Sequence, residues 1–412
     1  MESRVVSVRF ARRAVLVVTA LCLAAPLAPW SASAASADTD ALRPVGSWTR
    51  VGPWPRDIFL YQSSPDELLF TDPAHGWRFG GVANLHTSDG GKTWCKQPRP
   101  FVNGEELWWS GASYSFPDAS HGWAVSEGSD SDGHVGGIAR TSDGGEHWKL
   151  IELSDEVLPD SVSATFRGRT FGLDFYSPRS GWVLGGEPYD VFCDADGDLA
   201  TRLRGIILHT ADGGQSWMRY RLGEDEYPVA VAATGTRSAI VVGHNGRYRE
   251  EEYPSFILST FNGGLTWTRQ DFPTYVLSDI VFSDQRTGWV GGYGRQDGFL
   301  LRTRDVGRTW EQLQLGSGFV SLPVFLDHRL GVTCREVWAT DRSITVPMMT
   351  TDGGQTWSEG EITGLLPEGL DSSSDPSRYA FVTPALRWAL GNNHELWRWT
   401  PGGAPLSPVL VD

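Results

Sequence analysis

The sequence predicts an all-β protein, a single seven-bladed β-propeller of four-stranded blades. Three observations predict it. A polar turn motif, clearest as "RTSDGGEHW" (140–148), occurs six times. A second motif, a tight turn ending in Gly-Trp, alternates with the first. Finally, "GSWTRVG" (46–52) copies the strand that follows the first motif, although no such motif precedes it.

In chain order, the first element lies outside the fold. Arg4, Arg9, Arg12 and Arg13 precede the apolar run "AVLVVTALCLAAPLAP", and small residues follow in "SASAASA". A basic end, a short apolar stretch and an A-x-A site predict a secretory signal peptide over 1–34, with cleavage after Ala34 or Ala37. Residues 35–45 read as a short linker and 46–412 as the propeller. The apolar run is broken by Pro26 and Pro29, and no other segment has the length or composition of a membrane span. The expected location is therefore outside the cytoplasm, in the periplasm, the cell envelope or the medium.

Charge narrows the partners. The chain carries a formal −15, and residues 1–34 hold four Arg and one Glu, so cleavage leaves about −18. Such a surface repels phosphate backbones, which argues against nucleic acid as a partner. Only three Lys are present. After cleavage Cys95, Cys193 and Cys334 remain; their spacing shows no zinc pattern, and a chain of this size needs no disulfide framework.

The propeller elements follow from the two motifs. Copies of the first are "HTSDGGKTW" (86–94), "RTSDGGEHW" (140–148), "HTADGGQSW" (209–217), "STFNGGLTW" (259–267), "RTRDVGRTW" (302–310) and "TTDGGQTW" (350–357). Their acidic positions are Asp89, Asp143, Asp212, Asp305 and Asp352, with Asn262 standing in the fourth copy. The second motif ends at Trp77, Trp123, Trp182 and Trp289, with degenerate forms at 236–243, 327–332 and 385–391. A short apolar run precedes each: "ELLFTD", "ASYSFPD", "GLDFYSP", "VAVAATG", "DIVFSD", "LPVFLD" and "YAFVTP". One unit therefore reads strand, tight turn, strand, loop, strand, D-G-G turn, strand. The seventh unit starts near Arg378 and runs out at "ELWRWTP" without its last turn and strand. The segment 46–52 supplies that strand and closes the ring, leaving no long sheet edge exposed.

The D-G-G turn looks like chemistry, but its residue types suit a turn. Glycine allows positive φ, the carboxylate accepts backbone N–H groups, and the preceding Thr or Ser joins that network. The Trp buries a ring against the neighbouring sheet. One Asp per blade cannot converge on one catalytic centre, so the six box positions are expected to be structural.

These residues resemble the Asp-box, or BNR, repeat, whose pattern is S/T-x-D-x-G-x-x-W. That repeat occurs in sialidases, sortilin-type receptors, xyloglucan-degrading glycosidases and the photosystem II stability and assembly factor group. Interleaved G-W strands and D-G-G-x-T-W turns in one seven-unit ring look most like the last group. The resemblance covers almost all of 46–412. It implies a non-catalytic secreted or periplasmic propeller that serves as a binding scaffold or assembly factor for a protein partner.

Candidate binding residues lie in the connections that depart from the repeat. Insertions are "SEGSDSDGHVGG", "GEPYDVFCDADGDLATRLR", "HNGRYREEEYPS" and "REVWATDRSITVP" within blades, and "PRPFVNGEELWWSG" and "GLLPEGLDSSSDPSR" between them. In a propeller all of these share one rim. Trp108, Trp109, Tyr189 and Trp338 are the aromatic candidates for binding there. Asp194, Asp196 and Asp198 alternate in a Gly-containing loop and form a candidate calcium site, against the reading of a solvated acidic loop. No other cofactor is expected, and the chain is expected to be a monomer. The alternative function is a sialidase-like glycoside hydrolase or a carbohydrate binder. Asp174 and Asp279 are the inner-strand carboxylates best placed for it, but the arginine cluster and F-R-I-P element of sialidases are not found.

Overall fold

The computed structural model describes residues 46–50, 67–79, 84–102, 105–106, 113–126, 137–151, 153, 172–193, 199–245, 254–293, 297–320, 322–325, 329–338, 343–359, 379–383, 386–390 and 396–401. Every regular element among them is a β-strand. The strands form six four-stranded antiparallel sheets, one five-stranded sheet and one two-stranded ribbon. The larger sheets are named here in chain order: I (67–97), II (113–151), III (172–224), IV (226–272), V (276–317), VI (319–359) and VII (379–401). Sheet VI is the five-stranded one: its inner edge is split between Phe319–Val320 and Val324–Phe325, which both pair with Gly331–Trp338. Strand Gly46–Arg50 pairs antiparallel with Leu396–Pro401 of sheet VII, in the register Trp48↔Trp399.

The sheets stack face to face. One core cluster joins Trp123, Val125 and Ile138 of sheet II to Leu173, Phe175 and Val183 of sheet III. Another joins Trp182, Leu184 and Ile207 of sheet III to Ala239, Val241 and Phe256 of sheet IV. Trp182 and Leu184 thus face one neighbour and Val183 the other, the period of two that a strand imposes. Strands covered on both faces read as continuous apolar runs, as in Ala239–Val242.

The Gly-Trp motif is explained by this stacking. A Cβ on Gly76, Gly122, Gly181, Gly288 or Gly331 would lie 2.2–2.9 Å from the Phe ring of the adjacent strand. Those rings are Phe70, Phe116, Phe175, Phe282 and Phe325, so the glycine is where the Phe lies flat across its neighbour. The Trp then turns to the next sheet: Trp77 stacks on Phe116 at 4.1 Å, Trp123 on Phe175 at 4.1 Å and Trp289 on Phe325 at 5.3 Å. All four Gly-Trp rings, Trp77, Trp123, Trp182 and Trp289, are buried. Burying an aromatic ring removes roughly 200 Å² from water, worth about 5 kcal/mol at ~25 cal/mol per Å².

Two sequence expectations need correction. "GEPYDVFCDADGDLATRLR" is mostly not a loop. Ser180–Cys193 and Leu199–Thr210 continue as a paired hairpin through Cys193↔Leu199, so the insertion lengthens the two middle strands of sheet III. Likewise "REVWATDRSITVP" belongs largely to the paired strands Gly331–Trp338 and Ser343–Thr350 of sheet VI. Paired extension satisfies the backbone N–H and C=O groups that an open loop would leave to water. The outer strands also begin one residue after the box Trp, at Cys95, Lys149, Met218, Thr268, Glu311 and Ser358.

Candidate functional site

The six boxes form one hydrogen-bonded design. In sheet II, Thr141 Oγ1 donates to Asp143 Oδ1 at 2.7 Å and accepts from Gly145 N at 2.9 Å. Asp143 Oδ1 also accepts from His147 N at 2.9 Å. In sheet I the same roles fall to Thr87, Asp89, Gly91 and Thr93. In sheet III they fall to Thr210, Asp212, Gly214 and Ser216. Sheets V and VI repeat them with Thr303, Asp305, Gly307 and Thr309, and with Thr350, Asp352, Gly354 and Thr356. Asn262 fits the fourth copy because its Oδ1 accepts from Thr266 N while its Nδ2 donates to Thr266 Oγ1. In the aspartate copies the hydroxyl donates instead, as Thr93 Oγ1 does to Asp89 Oδ2 at 2.7 Å. In sheet II His147 Nδ1 takes the hydroxyl's place at 2.8 Å from Asp143 Oδ2. That substitution is what brings Asp143, Glu146 and His147 together on the surface.

Each box is also tied to the first turn of its own sheet. The N–H after the acidic position donates to a carbonyl there: Gly90 to Ala74, Gly144 to Ser120, Gly213 to Arg179, Gly263 to Arg237, Val306 to Arg286 and Gly353 to Arg329. The second glycine has two reasons to be glycine. Gly354 has φ +75°, and a Cβ there would lie 2.2 Å from the Trp289 ring of the preceding sheet.

The box carboxylates are held ionised. Burial would raise them, but the hydrogen bonds outweigh it and bring Asp89, Asp143 and Asp212 down to about 2. Asp305 and Asp352 move the same way for the same reason. A carboxylate saturated by its own turn is a poor general acid or base at neutral pH.

The inner strands place Asp174 against a neighbour. Its Oδ2 accepts from Ala233 N of sheet IV at 2.8 Å, so it ties two sheets. Ser115 Oγ does the same for Phe175 N at 2.9 Å. Asp279 Oδ1 accepts from Ile280 N at 2.7 Å.

Of the rim residues, Trp108, Trp109, Asp194, Asp196 and Asp198 lie outside the described residues. Tyr189 falls at a register irregularity between Pro188 and Asp190 in strand Ser180–Cys193, and Trp338 ends strand Gly331–Trp338; the side chains of both are outside the described part.

Sequence reasoning missed two groups. At the base of the long hairpin, buried Glu187 pairs with Arg221 at 2.6 Å and Arg219 at 3.3 Å. The alternation in "MRYRLGE", with Arg219 and Arg221 on one face of an outer strand, was the available signal. The second group is the residue before the box Thr, which clasps the next sheet. Arg140 Nη1 donates to Gly213 O at 2.5 Å, Arg302 Nη1 to Gly354 O at 2.7 Å and Ser259 Oγ to Gly307 O at 3.0 Å. Here the sequence varies between His, Arg, Ser and Met, which hid a shared position.

Antiparallel sheets stacked on buried Trp, with D-G-G turns between paired strands, define a propeller-like all-β protein. Comparison with known proteins agrees. The chain is similar to the photosystem II assembly lipoprotein Ycf48 of Synechococcus sp. (strain CC9902), 23% identical over 357 residues, covering 84% of this chain and 88% of that protein. Among solved structures it is similar to Ycf48 from Cyanidioschyzon merolae, with a TM-score of 0.53, 20% identity and coverage of 86% of this chain and 99% of that one. It is also similar to a Ycf48 bound to a D1 peptide, with a TM-score of 0.50, 18% identity and coverage of 85% and 97%. No family model matches the chain.

Proposed function

We propose that the chain is a non-catalytic, extracytoplasmic propeller that binds a protein partner as an assembly factor does. The observation that carries this reading is similarity to an assembly factor along 84% of the chain. Its structural relative bound to a D1 peptide supports a polypeptide ligand. The site geometry supports the absence of catalysis, because Asp143 serves its own turn and Asp174 ties two neighbouring sheets. The ring has seven blades, the sixth with a split inner strand, and closes through the N-terminal strand. In support, Gly46–Arg50 pairs with Leu396–Pro401, and the inner strands Glu67–Phe70 and Tyr379–Thr383 touch. The signal-like segment 1–34 supports export, and Asp194, Asp196 and Asp198 remain a candidate calcium loop on the exported domain.

Affinity purification of the tagged, exported chain from its native envelope tests the reading. A stoichiometric protein partner is the expected result. Turnover of any substrate in a glycoside panel, abolished by Asp174→Asn, would overturn it in favour of a hydrolase.

A further inference from the structure

Five of the six boxes join their acidic position directly to glycine: Asp89–Gly90, Asp143–Gly144, Asp212–Gly213, Asn262–Gly263 and Asp352–Gly353. The sheet V box has Asp305–Val306 instead. Pairs of this kind are open to one covalent reaction. The backbone nitrogen of the second residue attacks the side-chain carbonyl carbon of the first and closes a five-membered succinimide. Glycine, with no Cβ, leaves that nitrogen open to approach. The turn also wants glycine for its positive φ, +79° at Gly263, so the same choice that shapes the box carries the hazard.

Ionisation guards the aspartate copies but not Asn262. An aspartate closes the ring by losing water, which requires its carboxyl group to be protonated. Burial raises these groups, but the hydrogen bonds of the turns outweigh it, holding Asp89, Asp143 and Asp212 at about 2 and lowering Asp352. At neutral pH the reactive acid form is scarce in each. An amide loses ammonia and needs no such protonation, so Asn262 is the copy that ionisation leaves unguarded.

The closed turn holds Asn262 by other means. The N–H of Gly263, which must give up its proton before the nitrogen attacks, is buried and donates to Arg237 O at 2.7 Å. Asn262 Oδ1 accepts from Thr266 N at 3.0 Å and from Thr260 Oγ1 at 3.1 Å, while its Nδ2 donates to Thr266 Oγ1 at 2.8 Å. With both amide atoms tied, the side-chain plane is not free to turn towards the nitrogen. Arg237 Nη2 adds a bond to Asn262 O at 3.1 Å. Attack therefore requires the turn to open, and its rate follows the fraction of molecules that are open.

We propose that Asn262 is a deamidation site kept shut by its own turn: closed, it stays an amide; opened, it becomes aspartate or isoaspartate. The Gly263 N–Cγ bond forms, the Cγ–Nδ2 bond breaks, and the Gly263 amide proton leaves with the ammonia. Water then opens the ring. Breaking the new N–Cγ bond gives aspartate, and breaking the original peptide bond gives isoaspartate, whose main chain is one methylene longer. The two products fit the box differently. Aspartate supplies the acceptors that the other copies use, as Asp89 Oδ2 does for Thr93 Oγ1. The longer main chain of isoaspartate moves Gly263 N away from Arg237 O. Either product adds one negative charge, so the chain keeps a covalent record of openings of the sheet IV turn. The proposal does not depend on what the protein binds.

The full chain is incubated in mildly alkaline buffer, with and without urea, and digested for mass spectrometry at intervals. Asn103–Gly104 and Asn245–Gly246, the other Asn-Gly pairs, show in the urea samples that the conditions drive the reaction. Conversion of Asn262 is expected to be at least about tenfold slower in the native chain than in urea. Thr266→Val removes one hold on the amide and is expected to raise the native rate roughly threefold. Thr260→Val also removes the acceptor of Gly264 N and is expected to raise it further, up to the urea rate if that variant does not fold. Thr309→Val makes the matching change in the sheet V box and leaves the Asn262 rate unchanged. Unfolding temperatures of the variants are measured alongside. The proposal is overturned if Asn262 converts as fast in the native chain as in urea, if it does not convert in urea, if Thr266→Val leaves its rate unchanged, or if Thr309→Val raises it equally.

Discussion

The two ends of the sheets are built from different kinds of sequence. At the turn end, six boxes and the Gly-Trp turns repeat the same hydrogen bonds from sheet to sheet, down to the same atoms. At the other end the connections between the described strands differ from sheet to sheet. Asp225 alone, at φ 59°, connects sheets III and IV, and Gly318 connects V and VI, whereas residues 360–378 separate VI from VII. Repetition marks what every blade needs in order to stack. Departure marks what one blade does that its neighbours do not. By that rule interest moves from the repeated D-G-G turns to positions where a repeated slot changes residue, as where Arg179, Arg237, Arg286 and Arg329 stand in the place of Ala74 and Ser120.

The largest expected effect tests the packing side of this contrast. Trp289 is fully buried between Phe325 and Trp357, so Trp289→Ala should cost about 3–5 kcal/mol in denaturant unfolding. A loss below 1 kcal/mol would mean that the Gly-Trp rings do not hold the sheets together.

A smaller loss is expected at the boxes. Asp143→Ala removes the acceptor for Thr141 and His147 and should cost about 1–3 kcal/mol, read from the same measurement. The boxes also set the acid limit. Asp89, Asp143 and Asp212 sit at about 2 in the folded chain against an ordinary 3.8, so their contribution is complete above the unfolded value and lost as pH falls through the folded one. Unfolding midpoints should therefore hold steady down to about pH 5 and drop between roughly pH 4 and 2. A drop centred near pH 6 would point to the histidines instead.

Two boxes depart from the pattern and give the smallest effects, both gains. Val306 occupies a glycine position at φ 63°, where a β-branched residue is strained by about 1–2 kcal/mol. Part of that is returned through the freer unfolded chain, so Val306→Gly should stabilise by about 1 kcal/mol. Asn262→Asp lets Thr266 donate to a carboxylate and should add about 0.5 kcal/mol at neutral pH. Neutral or destabilising results at both positions would show that the boxes are not equivalent.

The architecture was legible because packing imposes periods. The strand order within each sheet and the turns that join its strands follow from residues that recur. The lengthened hairpin of sheet III was not legible. "EPYDVFCDADGDLATRLR" has neither apolar alternation nor a turn signal at its edges, yet its backbone pairs through Cys193↔Leu199. The sheet-to-sheet clasp was hidden because Arg140, Ser259 and Arg302 do one job with different chemistry. Arg179, Arg237, Arg286 and Arg329 were in plain view in "SPRSGW", "GTRSAI", "DQRTGW" and "DHRLGV". The box-to-turn hydrogen bonds place all four, Arg237 of the degenerate copy included, at one structural position.

The central claim is that the box aspartates hold backbone and that recognition lies elsewhere. It is tested most directly by Asp143→Ala, with thermal unfolding and capture of the envelope partner measured on the same preparation. The account predicts a lower unfolding temperature and, below it, undiminished capture. An unchanged unfolding temperature with capture lost would contradict it and return the D-G-G turn to the functional site.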